Sequence, residues 1–104
     1  TVDVEDCFHA ENLAAAIPRH AWDTCDLRVE RSLARVLAAL GDRGVTGTFF
    51  VLGWLAERRP WIVRAIASAG HEIACHGYGH QLVSRLDPAS FREDITRARA
   101  ILEH

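Results

Sequence analysis

The stretch that most constrains the fold is VTGTFFVLG, Val45 to Gly53, a β-branched and aromatic run of strand length with no clean alternation of polar and apolar residues. Such a run suits a strand buried on both faces, the usual condition of a parallel sheet covered by helices. Both of its neighbours in sequence are helical. Before it, Val29, Leu33, Val36, Leu37 and Leu40 recur at helical spacing and form one apolar stripe. Asp26 is the expected N-cap of that helix, and Gly41 and Gly44 are its stop signals. After the run, Pro60 suits a first helical turn, and Ile62, Ala65, Ile66 and Ala69 form a stripe that Gly70 ends.

The remaining segments fit the same alternation. TVDV reads as a strand from Thr1 to about Glu5, and HEIAC, His71 to Cys75, as a short third strand. Asp87-Pro88 opens a last helix as N-cap and first position, with Phe91, Ile95, Ala98 and Leu102 as its stripe. Residues 9–25 are irregular, with one or two helical turns expected at NLAAAI. The order β, loop, α, β, α, β, loop, α implies parallel strands joined by crossover helices. Sites in such folds lie at the carboxyl ends of the strands. Here those ends carry Glu5-Asp6 and Cys75-His76, so two chemically unusual clusters fall on one edge of one sheet.

The clusters suggest a metal. His76-x-x-x-His80 alone is weak, because six histidines make such a spacing easy to reach by chance. Asp3, Glu5 and Asp6 change the balance. Three acids within four residues repel one another and are poor strand formers, and a cation beside them relieves the repulsion. Two neutral imidazoles and one carboxylate suit catalytic Zn²⁺ or another divalent transition metal, with positions left for water and substrate. Gly77 and Gly79 let the backbone turn between the histidines. His71, at the opposite end of its strand, is read as structural. His9 is read as an exposed loop histidine, with support of a metal ligand as the alternative. Trp22, Trp54 and Trp61 could stack on a sugar ring, but burial is the default for tryptophan. Cys7 and Cys75 lack a base partner and are read as packing residues.

Composition sets the outer bounds. A net charge of −2 gives no reason to expect a nucleic-acid or anionic-membrane partner. Three cysteines without C-x-x-C spacing indicate neither a disulfide framework nor a zinc finger, and favour a reducing compartment, the cytoplasm over the periplasm. No apolar run approaches the roughly 18 residues of a membrane span, and no signal-peptide pattern opens the chain. The chain begins at Thr1 within a strand pattern and stops at His104 with a helical pattern still running. The expectation is a piece of a longer protein.

Three segments together resemble a known family: TVDVEDCFH, then GVTGTFFVLGWLAERRPWIVRAIASAGHEIACHGYGH, then D-P-x-x-F-x-x-D-I. They are similar to the first part of the NodB-homology polysaccharide deacetylases, carbohydrate esterase family four. Within it they look most like the branch with a D-V-E-D-aromatic opening found with bacterial exopolysaccharide and exosortase systems. The resemblance covers nearly the whole chain. It implies a distorted (β/α) barrel, of which residues 1–104 are the N-terminal part of a single domain. It implies a divalent metal, zinc in the first instance, held by an acid and two histidines, and a polysaccharide or oligosaccharide substrate whose N-acetyl groups are hydrolysed. His76 and His80 match the family's metal-binding histidines. The acidic motif departs from the common pair of adjacent aspartates. Asp3 is assigned as general base and Asp6 as metal ligand, with Glu5 in reserve for either role. The arginine and histidine that complete the family's site are expected beyond His104, so this segment alone should not run a full cycle.

Three other readings are weighed against this one. An amidohydrolase of the same fold could act on a small cyclic ureide or imide. A receiver-like βα domain also has acids after its first strand, but it needs an aspartate where Cys75-His76 stands. A binding or scaffold module could keep the fold without metal or catalysis.

Overall fold

The computed structural model describes all 104 residues. Three parallel strands, β1 (Val2–Val4), β2 (Thr48–Val51) and β3 (Glu72–Cys75), form one sheet in the order β1-β2-β3. Val4, Val51 and Cys75 stand in register at their carboxyl ends. Helix α1 (Val29–Asp42) lies between β1 and β2, α2 (Gly53–Arg58) and α3 (Pro60–Ser68) lie between β2 and β3, and α4 (Pro88–Glu103) follows. This is the parallel α/β arrangement that the alternation implied.

The core follows the stripes. Phe49, Val51, Leu52, Leu55, Ile62 and Ile66 are fully buried, and Val4, Val29, Leu33 and Ala98 join them. Strand β2 is not sealed on both faces as its sequence suggested. Phe49 and Val51 are buried, whereas Thr48 and Phe50, which alternate with them, are only half covered. One face of the strand carries the core, and these residues leave the other face partly open.

Two boundaries differ from expectation. The β2 run stops at Val51, and Gly53 opens α2, which the sequence pattern did not announce. The first N–H groups of α2 find acceptors in the loop after β3: Gly53 N donates to Gly77 O at 2.8 Å and Trp54 N to Tyr78 O at 3.1 Å. Gly53 is tightly enclosed: a Cβ there would lie 3.0 Å from Ala98 Cα and 3.1 Å from the Tyr78 ring, so a larger residue would press on both. Helix α1 starts at Val29 with no side-chain cap from its own neighbourhood. Asp26 does not cap it. Asp6 does so from far back in the chain, its Oδ2 accepting from Arg28 N at 2.5 Å and Val29 N at 3.0 Å. Asp87 caps α4 as expected, accepting from Ser90 N at 2.7 Å. His71 is structural as expected: it is buried, and its Nδ1 accepts from Gly47 N at 3.0 Å.

Candidate metal centre at the strand ends

The parallel register brings the residues that follow β1 and β3 to the same level on either side of β2. Leu52 N donates to Val4 O, and His76 N to Val51 O, extending the ladder one step past the strands. Glu5 and His76 therefore leave the sheet side by side. His80 returns to them because the intervening loop reverses. Gly77 has φ +74, and His80 itself has φ +52, the one non-glycine residue with positive φ.

That reversal is held from two sides. The carbonyls of Gly77 and Tyr78 accept from the N-terminus of α2. The N–H groups of Tyr78 and Gly79 donate to the two oxygens of Asp94 on α4, at 2.8 and 3.0 Å. Four of the six backbone polar groups from Gly77 to Gly79 are thus engaged by a charged side chain or a helix end. Asp94 belongs to the D-P-x-x-F-x-x-D-I pattern, whose spacing does not by itself indicate which loop the residue holds.

Three donor atoms converge at the strand ends. Glu5 Oε2 lies 2.9 Å from His80 Nε2 and 3.4 Å from His76 Nε2. One ligand atom from each residue lies within 4.8 Å of the others. Two donors at about 2.0–2.1 Å from a tetrahedral ion lie roughly 3.3 Å apart. Despite their closeness, Glu5 Oε2 and His76 Nε2 are buried atoms without a hydrogen-bond partner. Buried polar atoms are rarely left so. A cation held among these atoms would account for both facts. The three side chains remain about one quarter exposed, leaving the point open on one side. The residues present therefore fit a divalent ion with free positions.

Asp6, the acid expected as the ligand, does not join this group. It is buried at 6% exposure, and its carboxylate accepts from the backbone N–H of Cys7, Arg28 and Val29. Burial alone would raise its pKa, but these three hydrogen bonds outweigh burial and hold the carboxyl below its ordinary value. It is an ionised cap, fully occupied. Asp3, the expected base, is exposed on β1, on the same side of the strand as Glu5 by alternation. Its carboxylate has no ion-pair partner.

Other readings also shift. His9 is buried, not exposed, with its Nδ1 accepting from Asp6 N at 2.8 Å. It is wedged among Phe8, Trp22 and Trp54 at ring separations of 4.3, 4.7 and 5.0 Å. Trp22 and Trp54 are core residues, whereas Trp61 is 43% exposed. Cys7 is exposed rather than packed, and Cys75 is half-buried. No helix is long and apolar enough to cross a membrane.

Comparison with known proteins places this geometry in context. The sequence profile of the family described as polysaccharide deacetylase matches residues 17–104. A peptidoglycan-N-acetylglucosamine deacetylase of Bacillus cereus is 37% identical over 68 residues, 65% of this chain and 25% of its own length. A chitooligosaccharide deacetylase of a Bradyrhizobium species is 37% identical over 67 residues, 64% of this chain and 31% of its own length. Among solved structures, a candidate polysaccharide deacetylase from Mycobacterium smegmatis superposes with a TM-score of 0.75 at 35% identity, covering 98% of this chain and 36% of that one. The chain spans about a quarter to a third of the length of the curated relatives it matches.

Proposed function

Because the chain belongs to the polysaccharide deacetylase family, we propose that it supplies the metal-binding part of a site that hydrolyses the acetamido group of N-acetylated sugar residues in a polysaccharide. The observation that carries this reading is the convergence of Glu5 Oε2, His76 Nε2 and His80 Nε2 without hydrogen bonds among them. In it, Glu5, His76 and His80 hold one divalent transition metal, zinc in the first instance. Glu5 replaces Asp6 as the acidic ligand, because the Asp6 carboxylate is already engaged by three backbone donors.

When bound, such an ion supplies Lewis-acid polarisation of a carbonyl and activation of water. The protein's own groups do the rest. The Asp94-braced loop holds the two imidazoles at fixed separation, their ring centroids 5.1 Å apart. That rigidity removes the reorganisation that a flexible pair would need at the moment of reaction. Asp3, unpaired and on the Glu5 side of β1, takes a proton onto its carboxylate from the attacking water. Protonation of the departing amine is assigned to a group outside these residues.

The test uses the full-length protein. Metal content per chain and acetate release from an N-acetylated oligosaccharide are measured for wild type, Glu5→Ala, His76→Ala, His80→Ala and Asp6→Ala. The expected result is about one metal per chain in wild type, loss of metal in the first three variants, and metal retained in folded Asp6→Ala. Equal metal content in Glu5→Ala and wild type, with loss in Asp6→Ala, would return the ligand role to Asp6.

A further inference from the structure

Two buried ring nitrogens, His9 Nε2 and His80 Nδ1, lack partners, and both residues line one small cavity. The cavity is about 110 Å³ and is bounded by His9, Glu11, Arg19, Trp22, His80 and Gln81 among others. His9 is 2% exposed. Its Nδ1 accepts a hydrogen bond from Asp6 N, so in the neutral ring the proton resides on Nε2. Burial pushes the ring's pKa down to about 4, against an opposing pull from the Asp6 charge, so the ring is neutral near pH 7. That Nε2–H is buried with no partner. His80 presents Nε2 to Glu5, which leaves Nδ1 to carry the proton if Nε2 is a ligand. Nδ1 is likewise buried without a partner.

Two residues that line one cavity thus each carry a buried ring N–H with no protein acceptor. A cavity of this size admits a water molecule, and a water oxygen accepts two hydrogen bonds. Histidine ligands generally donate their second ring N–H to an outer acceptor, which orients the ring and strengthens the ligand. We propose that this cavity is an ordered-water site. One water accepts from His9 Nε2–H and from His80 Nδ1–H, making His9 a positioning residue for His80. The Glu11 carboxylate, which borders the same cavity and is held by Arg85 at 2.6 Å, offers an acceptor for a hydrogen of that water. The inference rests on the reading of His80 as a metal ligand.

The experiment has a structural and a binding part, both on the metal-loaded full-length protein. A high-resolution crystal structure should show a solvent peak within hydrogen-bonding distance of both His9 Nε2 and His80 Nδ1. No such peak, with the His9 N–H directed at the face of Trp22 or Trp54, would overturn the proposal. In the binding part, zinc affinity is measured by chelator competition. His9→Gln retains an acceptor for Asp6 N–H and a donor for the water, and should stay within about threefold of wild type. His9→Phe fills the position without a donor and should weaken affinity by about 10–100-fold. If His9→Phe fails to fold, the solvent peak decides. Unchanged affinity in folded His9→Phe, with metal still lost in His76→Ala, sinks the water bridge alone. Metal retained in His76→Ala sinks the metal reading beneath it.

Discussion

Glu5 and Asp6 are neighbours in sequence, carry the same charge and end the same strand, yet they have opposite surroundings. The Asp6 carboxylate is buried and accepts three backbone N–H groups, two of them from the start of α1. The Glu5 carboxylate is part-exposed, meets no hydrogen-bond donor aligned with it, and faces two imidazole nitrogens. One acid is saturated by its own protein and holds the fold. The other faces two imidazoles with no aligned donor of its own. The contrast shows that a cluster of acids need not act as one unit. What each carboxylate can do depends on how many donors the fold has already aimed at it.

The third acid of the run sharpens this contrast most strongly. Asp3 has no partner, so its removal should affect chemistry and leave the fold alone. Asp3→Asn in the full-length protein should lower acetate release by about a hundred- to ten-thousand-fold while metal content stays at wild-type level. Loss of metal in a folded Asp3→Asn would mean that Asp3, not Glu5, completes the ligand set.

Next in size is the Asp6 effect on stability. Asp6→Ala leaves the first N–H groups of α1 and that of Cys7 without their acceptor, and should cost about 3 kcal/mol in urea denaturation of the metal-free protein. Glu5→Ala should be near neutral in the same titration, since the metal-free protein makes no hydrogen bond there to lose. Equal costs for the two variants would break the division of labour.

The pH dependence separates the two sides of the acidic cluster further. The His9 pKa is about 4 in the folded protein, against about 6.5 unfolded. Between those values the unfolded chain binds a proton that the folded one does not. Stability is therefore full above pH 6.5, falls as pH drops toward 4, and levels off below it, by about 3 kcal/mol in all. The Asp6 contribution, with its folded value depressed, is present above the unfolded value near 3.9 and is lost only as pH falls through the folded value below that. Urea midpoints of the metal-free protein from pH 7.5 to 4 should show the first leg in wild type and a flattened one in His9→Gln.

The smallest effect concerns the loop opposite Glu5. Asp94→Asn can accept from only one of the two N–H groups of Tyr78 and Gly79, because its amide nitrogen is a donor. The expected cost is about 1–2 kcal/mol in stability, with a several-fold loss of zinc affinity as His80 loosens. Unchanged zinc affinity would show that the positive φ of His80 is maintained without Asp94.

Much of this protein could be read from local pattern. The parallel α/β order came from apolar stripes at helical spacing, from Asp87-Pro88, and from glycines such as Gly70 and Gly44, both with positive φ where helices end. These signals lie within a few residues of what they specify. The two histidines were legible for the same reason, since His76 and His80 share one short loop. What lay out of reach involved partners distant in sequence. Helix α1 takes its cap from Asp6, 22 residues before Arg28, and not from nearby Asp26. Helix α2 opens at Gly53 because the carbonyls of Gly77 and Tyr78 stand over its first turn. His9, polar and in an irregular stretch, is buried because Trp22 and Trp54 close around it.

The sequence by itself determined which residue types reach the strand ends, because alternation and helical spacing are properties of the local chain. Only the tertiary structure decided which acid among Asp3, Glu5 and Asp6 meets the histidines. That choice depends on the parallel register of β1, β2 and β3 and on where the N–H groups of α1 arrive. Hydrogen-bond direction and distance across the sheet are set by packing of the whole chain, and no spacing within TVDVED encodes them.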